Sequence, residues 1–132
     1  MSDPTAVSEY DPRYRRFMEL FNEREFFDAH EVLEDLWLDE HGELRHFYQA
    51  LIQLAAAYLH LSRGNMAGCR KLLTTAHTLL GSYPDECAGL DVAALRVATE
   101  YWLGLIDARA ADEVVAYDDA RVPMLTLAEP GE

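Results

Sequence analysis

The middle of the chain reads Phe47-Tyr-Gln-Ala-Leu-Ile-Gln-Leu-Ala-Ala-Ala-Tyr-Leu-His-Leu61. At helical spacing this stretch is apolar almost all round, so neighbouring elements must cover most of its surface. Its three consecutive alanines permit a second helix to approach closely. We therefore predict an all-α fold, a single domain in which about five helices form a bundle around this central apolar helix.

Capping residues and helix breakers place the other helices. Helices are predicted at about residues 12–20, 25–39, 44–62, 66–80 and 92–108, with N-caps at Asp11, Asn65 and Asp91. The domain is expected to span residues 1–132, with a helical core at about 12–108 and an acidic C-terminal tail at 109–132. In the tail, we expect the apolar residues to pack back on the bundle and the last few residues to be mobile; the apolar ones are Val122, Met124, Leu125 and Leu127.

Length and composition restrict the class of protein. The chain has 132 residues, half of them hydrophobic, which is enough for one core without disulfides. No apolar run reaches the roughly 18 residues of a spanning helix, and residues 1–10 lack the features of a secretory signal. These features predict a soluble cytoplasmic protein with no membrane partner.

The charge balance is strongly acidic. Asp and Glu number 24 against 11 Lys and Arg, so the formal net charge is −13. Such a surface repels itself at low salt and is screened in molar salt, which indicates adaptation to a halophilic cytoplasm. A nucleic-acid partner is disfavoured because binding phosphates requires clustered Lys and Arg. An acidic surface made for a basic partner is the weaker interpretation, because the acidic residues are spread along the whole chain. A protein partner or a homo-oligomer stays open.

The stretch His30-Glu-Val-Leu-Glu34-Asp-Leu-Trp37 contains the candidate chemistry. On a helical wheel, His30 and Glu34 lie in the apolar arc, between the Phe26/Trp37 edge and Phe27/Leu38. Their i, i+4 spacing brings the two side chains together. A buried carboxylate beside an imidazole can share a proton or bind a cation, so both residues are catalytic candidates.

The central helix has a matching polar stripe. Gln49, Gln53 and His60 lie on one side of its wheel. If this stripe faces His30 and Glu34, the two helices enclose a polar site. A pocket beside it would be lined by Phe26, Trp37, Gln49 and Tyr58.

Together these segments resemble a known family. Phe21-Asn22, the run from Glu25 to Trp37, the run from Phe47 to Ala55, His60 and Gly64-Asn65 are similar to the all-helical domain of unknown function 309. The resemblance covers about residues 17–106, and its signature is His-x-x-x-Glu-x-x-Trp, then an Ile-Gln stretch and a later histidine. It implies that His30, Glu34, Trp37, Gln53 and His60 are signature positions, and that the two polar stripes face each other. The chain departs from the family at Ala50, where a glycine is expected. The resemblance implies a fold and a site but no reaction.

Three functions remain open from the sequence. In one, His30, Glu34 and His60 bind a divalent metal, with Gln53 in the outer shell, and the protein is a metal-dependent hydrolase. In the second, the same residues and Trp37 form a structural hydrogen-bond network, and the protein binds a peptide or a protein partner. The third is small-ligand binding without chemistry. In the structural case, replacing His30 or Glu34 by alanine is expected to cost about 1–3 kcal/mol.

Overall fold

A computed structural model of the chain describes residues 10–129. This part of the chain contains five α-helices, as the periodicity predicts, each within about two residues of its expected boundaries. They are α1 (Pro12–Asn22), α2 (Phe26–Asp39), α3 (Arg45–Ser62), α4 (Met66–Leu80) and α5 (Val92–Ala108). The all-α prediction is therefore confirmed, and none of these helices is long and apolar enough to cross a membrane.

Side-chain caps begin three of the helices, as predicted. The Asp11 carboxylate accepts from Arg13 N at 2.8 Å at the start of α1. Asn65 Oδ1 accepts from Gly68 N at 3.0 Å, and Asp91 Oδ1 accepts from Ala94 N at 2.9 Å. Each cap satisfies a backbone donor that has no partner within its own helix, and this local chemistry fixes where the chain turns.

The central position of α3 follows from its composition. The helix packs between α2 and α4, and each of the other helices packs mainly on its neighbours in sequence. Nine side chains of α3 are buried: Phe47, Tyr48, Ala50, Leu51, Leu54, Ala55, Ala57, Tyr58 and Leu61. Ala50, the departure from the family pattern, is fully buried.

The connection between α4 and α5 contains a two-stranded antiparallel ladder. The strands are β1 (Glu86–Cys87) and β2 (Leu90–Asp91), with Cys87 opposite Leu90. Gly89 between them has φ of +79°, and a Cβ there would collide with the Tyr10 ring. The turn therefore requires glycine.

The C-terminal tail packs against the helices around one short 3₁₀ turn, η1 (Asp119–Arg121). Val122 and Leu125 are buried, as predicted, and Leu127 packs at the edge of the core. The expectation for Met124 is wrong, since this side chain is 63% exposed. Residues 130–132, which include the end predicted to be mobile, and residues 1–9 lie outside the described part of the chain.

Candidate functional site

The His30–Glu34 pair forms, but at the rim of the helix rather than in the core. His30 Nε2 lies 3.3 Å from Glu34 Oε2, and His30 Nδ1 lies 3.3 Å from the Phe27 carbonyl oxygen. The side chains are 29% and 48% exposed, respectively. The prediction of a buried pair is therefore wrong. The buried stripe of α2 is narrower than the apolar arc of its wheel, and it comprises Phe26, Ala29, Leu33 and Leu36.

Trp37 contributes to the turn between α2 and α3. The Arg45 guanidinium lies 4.2 Å from the centroid of the indole, a cation–π distance. Arg45 also donates at 2.8 Å to the carbonyl oxygens of Trp37 and Glu40 at the end of α2. Trp37 Nε1 is buried without a hydrogen-bond partner among the described residues.

His60 is held by the start of α4. Asn65 Oδ1 accepts the capping hydrogen bond, so Asn65 Nδ2 is the atom 3.1 Å from His60 Nδ1. An amide nitrogen can only donate, so His60 Nδ1 accepts, and the proton of a neutral ring is on Nε2. On the same stripe His46 Nδ1 contacts Gln49 Oε1 at 3.2 Å, and Gln53 Oε1 is buried without a partner in the described chain.

The predicted metal ligands do not come together. Between residues 10 and 129, no three His, Cys, Asp or Glu side chains form a group that could hold a metal ion. The positions of His30, Glu34 and His60 therefore do not fit a shared metal ion. No hydrogen bond in this part of the chain joins His30 or Glu34 to Gln53 or His60 either, so the polar residues form separate local pairs rather than one network.

Two of the predicted pocket residues belong to the core instead. Phe26 and Tyr58 are 3% and 0% exposed, and their rings are 5.9 Å apart. Phe21 packs edge-on against both, at 5.3 and 5.9 Å. Burial raises the pKa of the Tyr58 hydroxyl well above its usual range, because the phenolate would lose its hydration. These residues form part of the hydrophobic core.

The exposed side of α2 contains functional candidates that sequence reasoning missed. Phe27 and Leu38 are 53% and 54% exposed, although both are large and apolar. With Glu34 they lie within about 40° of one another on the helix. We call the surface formed by Phe27, His30, Glu31, Glu34 and Leu38 the α2 outer face. The sequence signal for exposed apolar residues was the adjacent pairs Phe26-Phe27 and Trp37-Leu38. Neighbouring residues are about 100° apart on a helix, so both members of such a pair cannot point into one narrow core.

An acidic cavity borders this face, between α1 and α2. Its volume is about 440 Å³, and it is lined by Arg16, Leu20, Asp28, Glu31, Val32, Glu34 and Asp35. Four of the lining side chains are carboxylates, and the single guanidinium already lies 3.4 Å from Glu19 Oε1. The cavity therefore has a negative potential that favours cationic groups.

Comparisons with known proteins agree with the resemblance. The chain is 29% identical over 85 residues to an uncharacterised protein of Aquifex aeolicus (strain VF5), an overlap of 64% of this chain and 26% of that protein. It is 34% identical over 58 residues to the uncharacterised protein YpuF of Bacillus subtilis (strain 168), 43% of this chain and 33% of that protein. The matched region thus spans about a quarter to a third of these relatives. Residues 14–72 match the family described as Domain of unknown function (DUF309), and the family resemblance is thereby confirmed for α1 to the first half of α4.

Proposed function

We propose that the protein is a helical interaction module and that the α2 outer face binds a basic amphipathic helix of a partner protein. The observation that supports this proposal is the exposure of Phe27 and Leu38, 53% and 54%, on one side of a helix that bears five carboxylates and no lysine or arginine. Exposed apolar side chains on one face, rimmed by charge, are typical of a protein-binding surface.

The spacing of the two apolar residues suits a helical partner. Phe27 and Leu38 are eleven residues apart, about 16 Å along the helix axis, or three turns. An amphipathic helix laid along α2 would place apolar side chains against both anchors. The Phe27 ring already packs against His30, with centroids 5.8 Å apart, so the first anchor is held in place by a neighbour.

The charge of the surroundings favours a basic partner. Asp28, Glu31 and Asp35 extend from the outer face into the acidic cavity. Lysine or arginine side chains that flank the apolar ridge of the partner would reach these carboxylates. Pairs of this kind speed association and set orientation, while the apolar anchors supply most of the affinity.

The exposed apolar residues of α5 are an alternative docking surface. Val97, Tyr101 and Leu105 are 67%, 37% and 38% exposed. Glu100 and Asp107 beside them already contact His77 and Arg70 of α4, so this face offers little unpaired charge to a basic partner. Charge complementarity therefore favours α2.

A designed peptide tests the proposal. The probe is a fluorescent helical peptide of about 18 residues with leucines along one face and lysines on either side. The matched control peptide has glutamates in place of the lysines. We expect the lysine peptide to bind the protein and the glutamate peptide to bind at least about tenfold more weakly, as measured by fluorescence anisotropy.

Protein variants then locate the binding surface. Phe27→Ala and Leu38→Ala should each weaken binding by about tenfold or more, because each removes an apolar anchor. Val97→Ala, an exposed apolar residue on α5, is the matched control and should bind like the natural chain. Equal binding of both peptides, or a loss in Val97→Ala as large as in Phe27→Ala, would overturn the proposal.

A further inference from the structure

The C-terminal tail lies in a groove beside the α1–α2 turn and is held there as an extended peptide ligand is held. Asn22 at the end of α1 both donates and accepts. Its Nδ2 donates to Leu125 O at 2.9 Å, and its Oδ1 accepts from Leu125 N at 2.7 Å. One amide side chain thus pairs with both backbone hydrogen-bonding groups of Leu125, which is a way of recognising backbone independently of side-chain identity.

Arg24 contacts the tail at three further residues. Its Nε donates to Asp119 Oδ1 at 2.8 Å, and its two Nη atoms donate at 3.0 Å to the carbonyl oxygens of Val122 and Pro123. Its backbone φ is +65°, in the left-handed region that favours glycine. An arginine at such a position costs backbone free energy, and the contacts of its guanidinium with the tail offset this cost.

The tail contributes two side-chain anchors. Val122 and Leu125 are 3% and 5% exposed, whereas Met124 between them points to solvent. Trp102 Nε1 of α5 donates to Arg121 O at 3.0 Å. Apart from the η1 turn, the described tail residues form no helix or strand. Backbone hydrogen bonds, the Asp119 contact and the buried side chains of Val122 and Leu125 hold the tail, and the half-buried Tyr117 and Leu127 and a bond from Ala128 N to Gly89 O at 2.9 Å add to its attachment.

We propose that the groove formed by Asn22, Arg24 and Trp102 is a peptide-binding site, and that this chain's residues 117–129 occupy it as an exchangeable ligand. The ligand class is an extended segment with the pattern acidic-x-x-apolar-Pro-x-apolar, which in this chain is Asp119-Ala-Arg-Val122-Pro-Met-Leu125. Residues 110–114 upstream are all exposed, so the connection to α5 is accessible to a protease.

Cleavage of that connection tests exchange in the folded protein. A protease recognition sequence is inserted between Ala111 and Asp112, the full chain is folded and then cut, and a fluorescent peptide of residues 117–129 is added. We expect the labelled peptide to replace the cut tail, seen as a rise in anisotropy and as released tail in the mass spectrum. The same unlabelled peptide should reverse the signal.

Arg24→Gly gives a variant that can keep the fold. Glycine suits the positive φ at this position, so the circular dichroism of the helices should be unchanged, while the labelled peptide should bind at least tenfold more weakly. Arg63→Gly, at an exposed arginine at the end of α3, is the matched control and should leave peptide binding unchanged.

Three outcomes would overturn the proposal. In the first, the cut tail would stay in place and no labelled peptide would bind at millimolar concentration. In the second, the labelled peptide would bind equally well to Arg24→Gly. In the third, cutting the connection would unfold the helices, which would mean that the groove does not exist without its tail. A peptide with Val122 and Leu125 replaced by serine should fail to bind in every case, which separates specific entry from adhesion.

Discussion

Single side chains on α2 contribute to stability in proportion to their burial. The His30–Glu34 pair is partly solvated, and ion pairs at i, i+4 on a helix surface contribute about 0.3–0.5 kcal/mol. The sequence-based expectation of 1–3 kcal/mol assumed that removing either partner leaves a buried polar group. With 29% and 48% exposure, water replaces the lost partner.

We therefore predict that His30→Ala and Glu34→Ala each change the free energy of unfolding by less than about 1 kcal/mol. Urea unfolding followed by circular dichroism measures this change. Leu33→Ala on the same helix, at a fully buried position, is the positive control and should cost about 2–5 kcal/mol. A decrease of about 2 kcal/mol or more in the free energy of unfolding of either polar variant would contradict this prediction and indicate that the pair is buried.

Residues differ in how well the sequence predicts their positions. Asp11, Asn65 and Asp91 were predicted correctly as caps, because capping depends on a few neighbouring residues. The position of Phe27 and Leu38 could not be predicted, because a helical wheel shows which residues share a face but not how wide a strip the neighbouring helices cover. The exposed anchors, and with them the candidate binding surface, required the packing of α2 against α1 and α3.

Among the elements, the tail is where prediction from sequence was least complete. Its apolar residues indicated packing onto the bundle. The partners Asn22, Arg24 and Trp102 lie 19 to 103 residues away in the chain, and no local pattern relates them to the tail. Positive φ at Arg24 is equally invisible in the sequence, since glycine or asparagine is the usual signal for it.

Acid should weaken the attachment of the tail. The hydrogen bond from Tyr117 Oη, together with the Arg24 guanidinium, holds the pKa of the Asp119 carboxyl below its usual value of 3.8. A carboxyl with a lowered pKa adds stability that is present above its unfolded pKa and is lost as pH falls through the folded pKa. Stabilisation of the tail by this contact is therefore complete above about pH 5 and declines below pH 4.

In a Trp37→Phe background, the fluorescence of Trp102, whose indole donates to the tail, is followed between pH 6 and pH 3 and compared with that of the same protein carrying Asp119→Asn. The variant, which has no carboxyl at this position, should lack the part of the transition that Asp119 causes. Superimposable acid transitions in the two proteins would show that Asp119 does not contribute to holding the tail.

The whole molecule has a formal charge of −13 on 132 residues, and we expect this charge to determine its response to salt. Most ion pairs of the described residues are solvent-exposed and individually weak, so screening them costs little. Screening the general repulsion among carboxylates gains more, because the Debye length falls from about 10 Å at 0.1 M salt to about 3 Å at 1 M.

We therefore predict that the melting temperature rises with KCl concentration and that helicity falls in dilute buffer. Circular dichroism melts from low salt to molar KCl measure this directly, and sucrose at equal osmotic strength is the control for general exclusion effects. Full helicity and an unchanged melting point in dilute buffer would remove the interpretation of the surface as an adaptation to high salt.

The most direct test of the α2 outer face as a binding surface is to map, by nuclear magnetic resonance, where the lysine peptide contacts the protein. Resonances of isotopically labelled protein are followed as the peptide is added. We predict that the largest shifts fall on Phe27, Glu31, Glu34 and Leu38, with smaller ones on Arg16 and Leu20 across the cavity. Shifts centred on Val97 and Leu105 of α5, or none that saturate, would contradict the proposed function.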